Sequence, residues 1–161
     1  MIIRDERPED EAAIGRVLQA AFGGDAEARL VHALRDAGDC GFALVALEAG
    51  EIVGHVLTSR MQAPFPALAL APLAVRPDRQ RRGVGTALVR QAVALARDEG
   101  WAAIFVLGAP DYYGRFGFDV RLAEGFVSPY AGAHFMALAL SPLLPALSGE
   151  LRHAPAFADL D

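Results

Sequence analysis

Residues 67–107 constrain this chain more than any other stretch. An apolar run of strand length at 67–75 is followed by a charged segment at 76–82 and by Gly83 and Gly85, then by the clearest helical periodicity in the chain at 86–97 and a second apolar run at 102–107. Leu88, Ala92 and Leu95 fall on one face of that helix, flanked by Val89, Val93 and Ala96, while Arg90, Gln91, Arg97 and Asp98 fall on the other and Gly100 closes it. A helix with one apolar stripe between two apolar strands is a crossover that must pack on the sheet those strands build, so the chain reads as an α/β domain. Pro72 lies inside the first strand. Proline has no N–H to give a ladder, so the strand must be bulged or released from one neighbour there, and a ligand backbone could pair at the released edge.

The segment Gln80-Arg81-Arg82-Gly83-Val84-Gly85-Thr86 stands where the strand has ended and the helix begins. Two glycines within three residues let the backbone come close to a ligand. The first helical turn leaves N–H groups unbonded beside the positive end of the helix dipole. Arg79, Arg81 and Arg82 add guanidinium forks, which match phosphate oxygens in pairs. The arrangement suits a pyrophosphate, although by the loop alone a glycine-rich turn with a solvated basic rim reads equally well.

The order continues on both sides of this unit. Residues 1–4 are a short apolar strand, and Pro8 followed by Glu9, Asp10 and Glu11 opens a helix with its acids at the positive end. Ile14, Val17, Leu18 and Ala21 recur at helical spacing until Gly23-Gly24, and a second helix at 26–37 places Leu30, Val31 and Leu34 on one face. Strand-like runs at 42–48 and 51–60 flank Ala49-Gly50 and read as a hairpin. A loop at 61–66, a short helix or turn at 110–116, a short strand at 118–121 and a last strand at 134–140 complete the order β-α-α-β-β-β-α-β-α-β-β. This is a single α/β (α+β) domain over residues 1–141 with a mixed, mostly antiparallel sheet. Residues 142–161, rich in proline and weakly periodic, are expected to form an extended C-terminal tail that packs on the domain or trails it.

Composition removes several function classes. The chain has 161 residues, a size that suits one domain, and its 15 basic residues are all Arg. Without Lys there is no P-loop and no Schiff-base chemistry. The formal net charge of −5 argues against nucleic acid as a partner, although four Arg against one Asp at 76–82 make a local basic patch. Cys40 is the single cysteine, which excludes an intrachain disulfide and any multi-cysteine zinc site, and no metal is expected. The N-terminus turns acidic where a signal peptide would need an apolar core, and no apolar run reaches the length of a membrane span. A cytoplasmic protein without membrane contact is the expectation.

The segment Leu73-Ala74-Val75-Arg76-Pro77-Asp78-Arg79-Gln80-Arg81-Arg82-Gly83-Val84-Gly85 resembles the acetyl-CoA signature of the GNAT superfamily of N-acetyltransferases, written Gln/Arg-x-x-Gly-x-Gly/Ala. Val106-Leu107-Gly108-x-Pro110-x-Tyr112-Tyr113-x-Arg115-Phe116-Gly117-Phe118 resembles the second block of that superfamily in its YhbS-like form, and 135–140 and 149–157 are similar to the same subfamily. The resemblance implies a splayed central strand pair, 67–75 against 102–107, with the pantetheine arm of acetyl-CoA as co-substrate in the cleft. Backbone groups of Leu73, Ala74 and Val75 would pair with the pantetheine amides. Gln80, Arg81, Arg82, Gly83, Val84, Gly85 and Thr86 would hold the pyrophosphate. Tyr113, four residues before Gly117, would be the general acid for the departing thiolate. The acetyl group would pass by direct attack to a primary amine of an unidentified acceptor.

The general base is left unassigned. Many GNAT enzymes carry Glu on the strand that here reads Ala67-Leu68-Ala69-Leu70-Ala71-Pro72, which has no ionisable group. His55 is the best alternative by its charge state near neutrality, with His134, Glu124 and a water chain behind it. The asparagine that the family often carries after the next strand is also missing. A monomer or homodimer is expected. A non-catalytic acyl-CoA-binding sensor or docking module on the same fold is the alternative; the bare strand favours it and Tyr113 opposes it.

Overall fold

The computed structural model describes residues 1–160; Asp161, the last residue of the expected tail, lies outside them. In chain order the elements are β1 (Ile2–Asp5), α1 (Glu11–Phe22), α2 (Ala26–Asp36), β2 (Cys40–Glu48), β3 (Glu51–Met61), β4 (Ala67–Val75), α3 (Val84–Asp98), β5 (Ala103–Leu107), α4 (Pro110–Tyr113), α5 (Val120–Ala123), β6 (Phe126–Val127), β7 (Phe135–Ala139) and β8 (Gly149–Glu150). Single 3-10 turns occupy Pro8–Asp10, Pro77–Arg79 and Gly114–Phe116, and a longer 3-10 segment Pro155–Leu160. One six-stranded sheet runs in the order β1-β2-β3-β4-β5-β7, and β6 and β8 form a separate parallel pair. Every neighbour in the large sheet is antiparallel except β4 and β5, which are parallel and joined by the α3 crossover.

Ala49 and Gly50 close the β2–β3 hairpin with φ of 50° and 80°, the geometry of a two-residue turn whose twist matches the strands. Pro72 sits at a bulge. Leu70 faces Thr58 and Leu73 faces Val56, so β4 carries one residue more than β3 over this span. The extra residue reverses the side-chain alternation. Before it, Leu68 and Leu70 join the α3 side of the core while Ala67 and Ala69 lie on the opposite face; after it, Leu73 and Val75 turn to the α3 side and Ala74 to the other.

The ladder between β4 and β5 holds only Ala67–Ala103, Leu68–Ile104 and Ala69–Phe105, and beyond these pairs the strands separate. The splay is thus present. It leaves one edge of β4 without a strand partner from Leu70 onward.

Each face of the sheet buries a helical stripe. Leu88, Val89, Ala92 and Ala96 of α3 pack on Leu44, Ala46, Val56, Ile104 and Met136, and each fully buried Leu of this kind contributes about 2 kcal/mol. On the other face Ile14, Val17 and Leu18 of α1 and Leu30, Val31 and Leu34 of α2 pack on Val45, Leu57 and Ala74. Two polar clusters fix these helices to the strands. Arg4 donates to both oxygens of Asp10, which also accepts the Arg7 N–H. Arg35 of α2 donates to both oxygens of Glu6, whose Oε1 lies 2.8 Å from His55 Nε2.

The structure differs from the sequence reading at the C-terminal end. The strand expected at 118–121 is a single bridge between Asp119 and Ala137, after which α5 begins. Asp119 accepts the Arg121 N–H and caps that turn, a local bond that competes with the ladder. Residues 142–160 lie against the domain: β8 pairs with β6, Arg152 bridges to Gln62, and Leu151, Ala154 and Phe157 are buried. The central helix begins at Val84, two residues before the expected start, with Gly83 as its N-cap.

Candidate functional site

The loop between β4 and α3 turns through two left-handed residues, Arg81 at φ 64° and Gly83 at φ 85°. Gly83 offers no side chain to cap α3, so the first-turn N–H groups face outward for an external acceptor. Gly85 is needed for a different reason: a Cβ there would lie 2.8 Å from the Tyr112 hydroxyl. Around these groups is an open cavity of about 560 Å³. Of the residues expected to bind the coenzyme, Leu73, Val75, Gln80, Arg81, Gly83, Gly85 and Thr86 line it. Ala74 and Val84 are buried and turn their side chains into the core, so they can take part through backbone groups alone, and Arg82 is exposed outside the lining.

Charge at the loop is smaller than the count of Arg implies. Arg76 pairs with Asp78 and Glu51, and Arg79 with Asp78 and Glu48. Arg81 and Arg82 have no acidic partner among the described residues. Gln80 ties the loop to the strand, donating from Nε2 to the Val75 carbonyl at 3.0 Å.

Two lining residues had not been picked out from the sequence as binding residues. Tyr112 presents its hydroxyl beside Gly85, and Arg115 lies over the Tyr112 ring at 4.8 Å and donates to Thr86 Oγ1 at 3.0 Å. Arg115 thereby adds a guanidinium to a lining that already holds Arg81. The signal in the sequence is its place in the Tyr112–Phe118 block, where it is the one cation among aromatic residues.

Tyr113 does not line this cavity. It packs edge-on against Tyr112 and Phe118 and lies over Gly108, just past the end of β5, where a Cβ would come within 2.5 Å of its ring. It therefore stands just past the C-terminal end of β5. Burial, with a small contribution from Tyr112, pushes its phenol up to about 12.

The candidate bases are scattered. His55 is fully buried against Glu6 and does not line the cavity, and burial lowers its pKa despite the Glu6 hydrogen bond. For Glu6, burial would push the carboxyl up, but hydrogen bonds from His55 and Arg35 together outweigh it and hold it at about 2. Glu124 lines a different cavity, beside Val120 and Ala131, and His134 is exposed. The Cys40 thiol is raised by burial and by the Glu6 charge, which keeps it protonated. Among the described residues no cluster of three or more His, Cys, Asp or Glu is placed to hold a metal ion, and no helix is long and apolar enough to cross a membrane.

A second, smaller chamber of about 210 Å³ lies at the same splay, walled by Ala69 and Ala71 of β4, Phe105 and Leu107 of β5, and His153 and Phe157 of the C-terminal segment.

Known proteins share this architecture. Residues 11–118 match the acetyltransferase (GNAT) family. YhbS of Escherichia coli strain K12, named an uncharacterized N-acetyltransferase, is 37% identical over 124 residues, 74% of either chain. YjhQ of the same strain is 35% identical over 159 residues, 90% of this chain and 87% of that one. The crystal structure of E. coli YhbS with CoA superposes with a TM-score of 0.91 at 30% identity, covering 98% of this chain and 91% of that one. A GNAT acetyltransferase from Brucella melitensis with acetyl-CoA gives 0.83 at 35% identity, covering 97% of each chain. A match over most of the sequence and relatives of this identity along most of its length agree with the bulged, splayed strand and the uncapped helix: the chain belongs to the GNAT acetyltransferase family.

Proposed function

We propose that this chain is an N-acetyltransferase that moves the acetyl group of acetyl-CoA to a primary amine by direct attack of the amine on the thioester carbon. One observation carries the reading: a cavity of phosphate-binding character at the α3 N-terminus adjoins the edge of β4 that β5 leaves unpaired. The relatives solved with CoA and acetyl-CoA support acetyl-CoA as co-substrate.

The pyrophosphate is held by outward N–H groups between Arg81 and Thr86, with the Arg81 and Arg115 guanidiniums as counter-charges. Gln80 positions the loop through its bond to Val75. Backbone groups of Leu73, Ala74 and Val75 pair with the pantetheine amides as an added strand would, and a β4 N–H at the bulge polarises the thioester carbonyl. In the reaction the C–N bond forms, the C–S bond breaks, nitrogen loses one proton and sulfur gains one. Tyr113 is the donor toward the sulfur. A phenol at about 12 keeps its proton at neutral pH, but full transfer to a thiolate of pKa about 8.5 is uphill by about 5 kcal/mol. Its part is therefore to stabilise the thiolate by a hydrogen bond, with the proton arriving from the ammonium being formed.

The test is release of free CoA thiol with a panel of primary amines, read together with the mass of the acetylated product. Thiol release that depends on the amine supports the reading. Acetyl-CoA binding with no release for any amine would turn it into a binding module.

A further inference from the structure

Resting on the acetyltransferase reading, the chemistry of the 210 Å³ chamber allows its acceptor to be named by class. We infer that this chamber receives the acceptor, and that it selects small apolar or aromatic primary monoamines bound as the neutral amine. The chamber begins where the β4–β5 ladder ends, at Ala69 and Phe105, so a group inside it meets whatever the splay holds. Two small side chains, Ala69 and Ala71, make the space, and Phe105, Phe135 and Phe157 make the walls. An apolar cavity of about 150 Å³ suffices for a benzene ring, so this one takes a ring and a short arm.

No Asp, Glu or Arg lines the chamber. Its polar side chains are Tyr130 and His153. His153 is held in place by Ser128 Oγ, 3.0 Å from Nε2, and by the edges of Tyr130 and Phe157. Burial pushes its pKa down to about 4, so the wall is uncharged at neutral pH. An ammonium buried here would have no side-chain counter-ion, which costs several kcal/mol, whereas the free amine costs only its deprotonation in water, about 4 kcal/mol at pH 7 for an amine of pKa about 10 and less as pH rises. The ammonium proton is therefore left in bulk water on entry.

That selection also accounts for the missing base. A neutral amine brings its own lone pair. After attack the single proton that nitrogen must shed is the one the departing sulfur must gain, so the transfer balances within the site and needs no carboxylate on β4. An amine with a second charge, such as a diamine, lysine or an aminoglycoside, is disfavoured wherever that charge must enter the apolar part of the chamber between Phe105, Phe135 and Phe157.

The experiment compares kcat/KM for benzylamine and n-butylamine with that for putrescine, lysine and kanamycin at saturating acetyl-CoA. The expected result is a preference for the apolar amines of at least about tenfold, with kcat/KM rising with pH toward the pKa of each amine. Two variants place a carboxylate in the wall, His153→Asp and Leu160→Asp, the second at a residue 38% exposed, where the fold tolerates it. Both are expected to lower the benzylamine-to-putrescine ratio about tenfold or more, with acetyl-CoA affinity by calorimetry unchanged. Preference for the charged amines, or a ratio that neither variant moves, overturns the inference and leaves the transferase reading standing. So does a preference for hexanoyl-CoA over acetyl-CoA that Leu160→Asp abolishes, since the chamber would then hold the acyl chain. Absence of thiol release with any amine overturns both.

Discussion

Gly83 and Gly85 stand two residues apart and are glycine for unrelated reasons. Gly83 has open space around its Cβ position but a left-handed backbone, and Gly85 has an ordinary backbone but the Tyr112 hydroxyl in the way. Valine at either position is expected to weaken acetyl-CoA binding by about tenfold or more, since a β-branched residue in the left-handed region costs over 1 kcal/mol and any shift of Tyr112 disturbs Arg115. Trimming Arg82 to Ala should matter less, because the exposed guanidinium acts through screened charge alone. Calorimetric affinities in the opposite order would show that side-chain charge, not backbone geometry, holds the phosphates. Tyr113→Phe is expected to lower kcat about tenfold to a hundredfold with acetyl-CoA affinity nearly unchanged, since it removes one hydrogen bond to the leaving sulfur. The place of Gly83 and Gly85 between a strand and a helix was legible in the sequence, whereas the separate constraint on each, a left-handed backbone at one and the Tyr112 hydroxyl at the other, depends on the fold. Arg115 was not, because its place over Tyr112 and beside Thr86 depends on how α4 folds back toward α3.

At the level of elements, the strand with Pro72 was readable because one missing N–H is a local chemical fact with a local consequence. The hairpin at Ala49-Gly50 was readable for the same reason. The packing of the C-terminal segment could not be read locally because its burial is tertiary: Leu151, Ala154 and Phe157 recur every third residue, but with Pro155 among them they extend no long stripe, and they are buried because α2, β3 and β7 lie where they do. The strand expected at 118–121 failed where Asp119 capped a helical turn instead. Phe157 packs with α1 and α2 and edges His153, so Phe157→Ala is expected to cost about 3 kcal/mol, read as a lower urea midpoint. An unchanged midpoint would mean that the segment adds nothing to the stability of the helical layer.

For the whole molecule, one buried histidine, one half-buried histidine and one ion cluster set the response to acid. His55 and His153 both have pKa values lowered by burial, the second to about 4. The unfolded chain takes up these protons near the ordinary value of about 6.5 while the folded chain refuses them, so stability is full above that pH and falls on the way to about 4. Glu6, held at about 2, adds a second loss below about 4.5 in the same direction. Urea midpoints measured from pH 7.5 down to 4 should therefore fall steadily, and His153→Gln should flatten part of the upper slope; a level profile over this range would contradict the burial of both rings. On one side of the sheet the cavity proposed for the phosphates stands beside α3, and on the other the C-terminal segment walls the chamber proposed for the acceptor, so the two substrates would meet through the splay. Left empty, that splay is also an interior sheet edge, with unpaired strand backbone from Leu70 onward able to template another extended chain. The coenzyme would then be a storage requirement as much as a reactant, and protein kept with acetyl-CoA should stay monodisperse in solution after protein kept without it has begun to aggregate.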